Sequence, residues 1–149
     1  MLLNLKIAKV KPNAVIPTWG STLAAGADLH ACLEALYINI PPNTTRIIPC
    51  GIKTEFDSGY VAMICARSGL SIKQDLAPAN KVGIIDADYR GEWCVALHNH
   101  GTENRIVQDG DRIAQVMFFE IDHPEFIEVN ESELDATDRG EGKFGSTGK

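Results

Sequence analysis

The sequence predicts an all-β domain, built as an antiparallel sandwich or jelly-roll-like barrel. In several short segments apolar residues recur at every second position, which is the period of a strand with one buried face. Turn-forming residues separate these segments at short intervals. No segment has the 3.6-residue apolar repeat of a long amphipathic helix. Many short strands in about 130 residues are typical of sandwiches and jelly rolls.

The predicted elements follow one another from the amino terminus. The strand pattern occurs at residues 3–7, 36–40, 60–66, 93–97 and 115–119. Turn signals occur at residues 11–13, 41–43, 57–59 and 109–110. The one helix that the sequence favours is short, and it begins near residues 67–70, directly after a buried strand.

Length and charge limit the classes of function. The chain has 149 residues, 44% hydrophobic and 23% charged, which is typical of one globular domain with its own core. Fourteen basic and twenty acidic residues give a net charge of −6. Because general nucleic-acid binders need a basic excess, we expect no nucleic-acid partner. Any bound phosphate must meet local arginines, backbone amides or a metal.

Neither a membrane segment nor a disulfide framework is predicted. The longest nearly apolar run, residues 113–119, is far shorter than the roughly 20 residues of a membrane span. The amino terminus has the pattern of a first strand and lacks that of a signal peptide. The four cysteines form no C-x-x-C pair. We therefore expect reduced, buried thiols in a cytoplasmic protein with no membrane partner.

The last twenty residues differ in composition from the rest. Residues 130–149 contain eight charged residues and four glycines, but only three apolar residues. We therefore expect a β domain at residues 1–129 and a flexible, glycine-rich carboxyl-terminal arm at residues 130–149. A frayed terminus would have this composition too. The glycines, one aromatic ring and two hydroxyls of residues 139–149 instead suit a lid over a phosphate-bearing ligand.

Three side chains allow both a structural and a functional interpretation. Ser68 at the start of a helical turn is usually a cap, but the same turn offers free amides to a phosphate, with Arg67 beside them. Asp28 follows a glycine and alone indicates only a turn. Gln115 lies inside an apolar strand, where a structural hydrogen bond is the simpler role.

The segment 83–91 places two acids and a tyrosine close together. If the backbone is extended, Asp86 and Asp88 share one face and Tyr89 lies on the other. Two acids this close repel each other, so one can serve as a base or hold a cation. The alternative is a loop whose acids pair with Arg90.

Taken in order, five segments resemble the five motifs of the trimeric dUTP diphosphatases (dUTPases). They are AGADL (25–29), ARSGL (66–70), NKVGIIDADYRGE (80–92), GDRIAQ (110–115) and RGEGKFGSTG (139–148). Each is common by chance, but five in this order and at this spacing are specific. The family's jelly-roll-like fold agrees with the strand pattern.

The resemblance implies hydrolysis of dUTP to dUMP and pyrophosphate with Mg²⁺, which lowers dUTP and supplies dUMP for thymidylate synthesis. It implies a homotrimer whose three sites are shared between subunits. By the family pattern, Asp86 activates the water that attacks the α-phosphate. Asp28 would hold the Mg²⁺ through water.

The resemblance also implies the substrate contacts. Asn80 and the backbone of Gly83 and Ile85 would read the uracil. Tyr89 would pack under the deoxyribose and exclude a 2′-hydroxyl. Phe144 would cover the uracil. The other implied substrate-binding residues, most of them at the phosphates, are Arg67, Ser68, Gly69, Gln115, Arg139, Gly145, Ser146 and Thr147.

Other functions stay open at this point. A dCTP deaminase-related enzyme would share the core but would direct water at carbon 4 of the base. A catalytically idle protein would use nucleotide binding as a regulatory switch. A structural jelly roll, such as a coat protein, would leave the residues of segment 139–148 without a role.

Lys143 occupies a position at which dUTPases usually have glycine. If the position needs a positive φ, a lysine there costs about 1 kcal/mol, although it adds a positive charge near the phosphates. We expect Lys143→Gly to change both the KM for dUTP and the hydrogen-exchange protection of the arm. Unchanged values of both would contradict an altered lid.

Overall fold

The structure is a computed structural model and describes residues 4–143. This range contains twelve β-strands, one α-helix and one 3₁₀ turn. The strands are β1 Leu5–Lys9, β2 Thr18–Trp19, β3 Ala27–His30, β4 Tyr37–Ile40, β5 Thr45–Pro49, β6 Ile52–Phe56, β7 Tyr60–Cys65, β8 Leu76–Pro78, β9 Gly83–Ile85, β10 Cys94–Asn99, β11 Arg105–Gln108 and β12 Arg112–Glu120. The helix α1 is Ser68–Gln74, and the 3₁₀ turn is Glu131–Glu133.

All strand pairs in the described range are antiparallel, which confirms the predicted jelly-roll-like β fold. The largest sheet has the order β2-β3-β12-β7-β9, and a second has the order β5-β10-β8. Two further pairs, β1-β6 and β11-β4, complete the body. One hydrophobic cluster forms the core, and its largest fully buried side chains include Leu29, Ile40, Ile48, Leu76, Trp93 and Leu97.

Strand β12 is the longest strand and pairs along both edges, with β3 on one side and β7 on the other. In this register Gln115 lies between Asp28 of β3 and Cys65 of β7. The register shifts between Arg112 and Ala114, where β12 forms an irregularity. The pairing therefore brings three of the five motif segments to one end of the sheet.

Each predicted strand is present, and the short helix begins where the sequence places it. The helix ends at Asp75, whose left-handed φ of 54° stops the α conformation. All four cysteines are free thiols, and Cys32 and Cys50 are buried as predicted. Burial raises the pKa of the Cys50 thiol. The prediction of burial is wrong for Cys65, which is half-buried, and for Cys94, which is exposed because it occupies an outward position of β10.

The chain leaves the sheet at the end of β12 and has no further strand up to residue 143. Most side chains from residue 122 to 143 are exposed, and Phe126 is 94% exposed. The domain boundary at residues 129 and 130 stays a prediction. Among residues 4–143, no helix has both the length and the apolar character needed to cross a membrane.

Asn99 is a buried polar residue that ties β10 to two neighbouring segments. Its Nδ2 donates to the carbonyl oxygens of Ile40, at 2.8 Å, and Glu103, at 2.7 Å. Its Oδ1 accepts the Gly101 N–H at 2.9 Å. Truncation would leave buried groups without partners, so we expect Asn99→Ala to lower the free energy of unfolding by about 3 kcal/mol.

Urea denaturation at a fixed protein concentration would measure this loss. The matched control is Asn104→Ala, because Asn104 is exposed and makes one 3.3 Å side-chain bond to Asn39. It should lower the free energy of unfolding by less than about 0.5 kcal/mol. Equal losses for the two variants would contradict the role assigned to Asn99.

Candidate functional site

Asp28 is the charged centre of a groove at one end of the large sheet. Its Oδ1 lies 2.8 Å from Arg67 Nε, and its Oδ2 lies 3.1 Å from Arg112 Nη1. The Asp28 side chain is 13% exposed, whereas that of Arg112 is 54% exposed. One nearly buried carboxylate thus holds two guanidinium groups at the rim, where they can meet an anion.

The groove has a volume of about 300 Å³. Its lining is mostly small or polar and consists of Gly20, Ser21, Ala24, Gly26, Asp28, Arg67, Ser68, Gly69, Arg112 and Gln115. These residues come from the turn after β2, from β3, from the start of α1 and from β12. A space with this lining suits a phosphate chain better than an apolar ligand.

The start of α1 supplies the groove with two of its residues. The backbone of Arg67 is extended and precedes the helix, and Ser68 and Gly69 are its first two residues. No side chain caps this end, so the interpretation of Ser68 as a cap is wrong. Ser71 instead donates its hydroxyl to the Arg67 carbonyl at 3.1 Å. The Ser68 hydroxyl is therefore available to a ligand.

Gln115 has the structural bond that its place in an apolar strand requires. Its Nε2 donates to the Ala66 carbonyl at 2.9 Å, which joins β12 to the residue before Arg67. Gly26 leaves the space for this side chain, since a Cβ there would lie 2.9 Å from Gln115 Oε1. The same side chain lines the groove, so the structural role does not exclude a contact with ligand.

A second cavity, of about 380 Å³, contains Asp86. Its lining is Ser58, Tyr60, Asp86, Ala87, Asp88, Ile121 and His123. The backbone here is not extended, because Tyr89 N–H donates to the Asp86 carbonyl at 3.1 Å and closes a turn. The condition for a shared strand face, an extended backbone, is therefore not met, although both acids line this cavity.

Arg90 stabilises this turn through carbonyl groups. Its Nη1 donates to the carbonyl oxygens of Ala87, at 2.7 Å, and Tyr89, at 3.2 Å. Within residues 4–143 it forms no ion pair with Asp86 or Asp88, so the alternative of a loop held by acid–arginine pairs is not supported. The turn leaves both carboxylates uncommitted.

Asn80 and Gly83 lie side by side in the tight connection between β8 and β9. Lys81 takes a φ of 67° there, and Val82 N–H donates to the Asn80 carbonyl at 2.7 Å. A Cβ at Gly83 would lie 3.5 Å from Asn80 Nδ2 and 3.2 Å from Ile64 Cβ. The predicted base-reading groups therefore share one small, closely packed connection.

The two cavities have no lining residue in common. Ile85 pairs with Ala62, and Gln115 pairs with Cys65, on opposite edges of β7. Strand spacing and rise place Ile85 and Gln115 roughly 14 Å apart, and Asp86 continues away from the groove. One chain thus collects the predicted site residues in two separate groups.

Arg139 is the one predicted site residue of the arm within residues 4–143, and it lines neither cavity. Arg139 is exposed, and its Nε donates to the Gly142 carbonyl at 3.2 Å. Phe144, Gly145, Ser146 and Thr147 lie outside the residues that the structure describes. Their predicted contacts with substrate stay predictions.

The dUTPase family profile matches residues 12–148. The chain belongs to the dUTPase family. It is 43% identical over 147 residues to the deoxyuridine 5'-triphosphate nucleotidohydrolase of Wolinella succinogenes, covering 99% of this chain and 95% of that protein. It is also 43% identical over 144 residues to the enzyme of that name from Oryza sativa subsp. japonica, covering 97% of this chain and 80% of that protein.

Solved dUTPase structures have the same fold. A variant of the Staphylococcus bacteriophage 80alpha dUTPase, in complex with dUpNHpp, has a TM-score of 0.87 at 26% identity and covers 98% of this chain and 99% of its own. A dUTPase variant from phage phi11 of S. aureus has a TM-score of 0.79 at 23% identity and covers 88% and 99%. That structure is described as showing the coordination of a structural Mg(II) ion.

The sequence interpretation missed Arg112, which lines the groove, and His30, which lies on the same strand as Asp28. Arg112 lies in the fourth motif, three residues before Gln115, but the sequence does not show that its guanidinium reaches Asp28. His30 follows Asp28 by two residues on β3, and its Nδ1 is buried without a partner among residues 4–143. The period of two could have placed His30 on the Asp28 face of the strand.

The groove of this dUTPase has few donors for a metal. No group of three or more His, Cys, Asp or Glu residues that could hold a metal occurs among residues 4–143. Both Asp28 oxygens already face guanidinium groups, which leaves their remaining lone pairs for water. This donor set fits an ion that arrives bound to phosphates and contacts Asp28 through water. Mg²⁺ is such an ion, because it often keeps several of its water ligands.

His30 generates a prediction about pH. Burial lowers its pKa below 6.5, nearby Asp28 partly opposes this, and Arg112 and Arg67 lower it further. The unfolded chain therefore takes up a proton at a higher pH than the folded chain. The contribution of neutral His30 to the free energy of unfolding is therefore fully present above pH 6.5, and it decreases as the pH drops below that value.

We expect His30→Gln to reduce the loss of unfolding free energy between pH 6.5 and more acidic values. Urea denaturation across this range would measure it. His123→Gln is the matched control, because His123 is exposed, and it should keep the wild-type slope. Identical slopes for all three proteins would exclude the role of His30.

Proposed function

We propose that the chain hydrolyses dUTP to dUMP and pyrophosphate. The observation that carries this proposal is its identity of about 40%, over nearly its full length, to enzymes named deoxyuridine 5'-triphosphate nucleotidohydrolase. The geometry supports it, because the residues of the first, second and fourth motifs surround one polar groove. The acids of the third motif line a separate cavity.

The polar groove would bind the triphosphate. Arg67, the Ser68 hydroxyl and the Gly69 amide are positioned to contact phosphate oxygens, with Gln115 at the end of the groove. Because Asp28 already orients Arg67, less side-chain freedom is lost on binding. Phosphoryl chemistry depends mainly on such positioning and on charge neutralisation.

Asp86 would act as the general base. It would take a proton from a water molecule, whose oxygen forms a bond to the α-phosphorus. The bond from the α-phosphorus to the bridging oxygen then breaks, and the electron pair leaves with pyrophosphate. A base must lie within hydrogen-bond reach of its water, so the closed turn from Asp86 to Tyr89 would serve to fix the carboxylate.

Mg²⁺ is the cofactor that we propose for this reaction. Bound to the phosphate oxygens, the ion would neutralise charge that develops on the leaving pyrophosphate. Asp28 would accept hydrogen bonds from water molecules of the ion, in keeping with its position between two guanidinium groups. The carboxylate would thus connect the ion to the arginines that hold the same phosphates.

The third motif would select the base and the sugar. The Asn80 side chain and the backbone of Gly83 and Ile85 can present both donors and acceptors to uracil. Cytosine reverses the donor and acceptor at its 4-position, which leaves buried groups mismatched. Tyr89 would pack against the deoxyribose, where a 2′-hydroxyl would not fit.

We further propose a homotrimer in which different chains supply the two groups of residues. The support is their separation of roughly 14 Å in one chain, which is too far for one α-phosphate to meet Asp86 and the groove together. A neighbouring chain would bring its Asp86 to the Asp28 groove. The arm at residues 130–149 would complete the site, with Arg139 at the terminal phosphate and Phe144 over the uracil.

An apolar surface also supports association between copies. A cavity of about 370 Å³ opens between β1 and β2, and Trp19 and Phe118 contribute to its lining. The other lining residues are mostly apolar, and they include Leu5, Ile7, Ile16 and Val116. A second chain that covers this apolar lining would remove it from water, which favours association. The exposed Phe126 would have an apolar place on a neighbouring copy.

Asp86→Asn tests the assignment of the base. Loss of a general base should reduce pyrophosphate release from dUTP at least about a hundredfold. The affinity for dUpNHpp, measured by isothermal titration, should change less than about threefold because the amide keeps the shape of the carboxylate. Asp88→Asn is the matched control from the same turn, and it should keep most of the turnover.

The alternative functions predict different results in assays of product release. Ammonia release from dCTP would support the deaminase-related enzyme. A wild-type protein that binds dUpNHpp but never releases pyrophosphate from dUTP would support the idle regulatory protein. Full turnover by Asp86→Asn would contradict the proposed base.

A further inference from the structure

The ring of Tyr89 lies in the space that a side chain at position 91 would occupy. A Cβ built on Gly91 would overlap the Tyr89 hydroxyl oxygen and Cζ, and it would lie 2.8 Å from Cε2. Real Cβ atoms essentially never approach other atoms this closely. The ring therefore packs directly on the bare backbone of Gly91.

The hydroxyl of this tyrosine is bound to an anchored acceptor. Tyr89 Oη donates to the Glu92 carbonyl at 3.1 Å. Glu92 is itself held by its side chain, because its Oε1 accepts the Gly51 N–H at 2.9 Å. The next residue, Trp93, donates its N–H to the Ile52 carbonyl at 2.9 Å. The hydroxyl end of the ring thus contacts both the Gly91 backbone and a carbonyl that is anchored to the body of the protein.

We propose that Gly91 is a specificity-determining residue for the sugar of the nucleotide. Its lack of a side chain sets the position of the Tyr89 ring, and the anchored Glu92 carbonyl holds the ring there. This inference rests on the proposed function, in which Tyr89 packs against deoxyribose. The proposed mechanism gives Gly91 no contact with the reacting atoms. We therefore expect its substitution to change the discrimination between deoxyribose and ribose.

Gly91→Ala would displace the ring without destroying the fold. The overlapping atoms are the far end of one partly exposed side chain, which can rotate away. The deoxyribose of dUTP would then lose its packing surface, so kcat/KM for dUTP would fall. The value for UTP would change little, because we expect the wild-type site to exclude the ribose already. The ratio of kcat/KM for dUTP to that for UTP should fall by about tenfold, the lower range for a one-methylene change in a pocket.

The test measures pyrophosphate release from dUTP and from UTP by wild type and Gly91→Ala at several substrate concentrations. Gly59→Ala is the matched control, since a Cβ at Gly59 would meet no atom within 4 Å. It should keep the wild-type ratio. A wild-type ratio in Gly91→Ala, with thermal unfolding equal to that of wild type, would overturn the proposal.

A double-mutant cycle assigns the effect to the ring. In a Tyr89→Ala background there is no ring to displace, so adding Gly91→Ala should leave the ratio unchanged. If Gly91→Ala lowers the ratio equally in both backgrounds, it acts by another route and the proposal fails. Equal losses of kcat/KM for dUTP and UTP would also overturn it, because they indicate a role in the reaction itself.

The anchor offers a second test if Gly91→Ala does not fold. Glu92→Ala frees the carbonyl that holds the Tyr89 hydroxyl, so it should lower the ratio in the same direction. Glu92→Gln should restore it, because the amide oxygen can still accept the Gly51 N–H. If the wild-type protein hydrolyses neither dUTP nor UTP, the proposed function itself is overturned. If the wild-type protein prefers dUTP and the variants keep its ratio of kcat/KM values, only the inference about Gly91 is overturned.

Discussion

The pairing of β12 along both of its edges is the constraint on which the groove around Asp28 depends. It places Gln115 between β3 and β7, with Asp28 on one side and the start of α1 beyond Cys65 on the other. A slip of one residue would reverse every side chain of β12 and would move Val116 out of the core. The core and the groove therefore require the same register. Packing energy keeps the polar residues in position, although they contribute little to the core themselves.

The local charges of the groove would allow this acidic protein to bind an anionic ligand. Asp28 compensates two guanidinium groups at the rim, so Arg67 and Arg112 are oriented before any phosphate arrives. The net charge of −6 is a property of the whole chain, whereas this local arrangement decides which ions bind. The third motif has a different kind of order. Its turn is closed by the hydrogen bond from Tyr89 N–H to the Asp86 carbonyl, and the Tyr89 ring lies against the bare backbone of Gly91.

Much of the fold could be predicted, because alternation in 60–66 and 115–119 reports directly on a buried sheet face. The resemblance to the dUTPase motifs implies that Asp28, Arg67 and Gln115 belong to one substrate site, and in the structure the three residues line one groove. The contact of Arg112 with Asp28 could not be predicted, since it depends on which strands pair and on the shifted register beside it. The turn at Asp86 could not be predicted, because period-two reasoning assumes an extended backbone, whereas the hydrogen bond from Tyr89 N–H to the Asp86 carbonyl closes a turn.

We propose that one site takes its base and its groove from different chains, and mixing two impaired variants tests this arrangement most directly. Asp86→Asn lacks the base, and Arg67→Gln weakens the groove. Trimers refolded from an equal mixture should regain activity at about one site in four, where an intact Asp86 of one chain meets an intact Arg67 of another. If each chain forms its own site, every site in the mixture carries one defect. Activity no higher than the mean of the separate variants would therefore contradict the account.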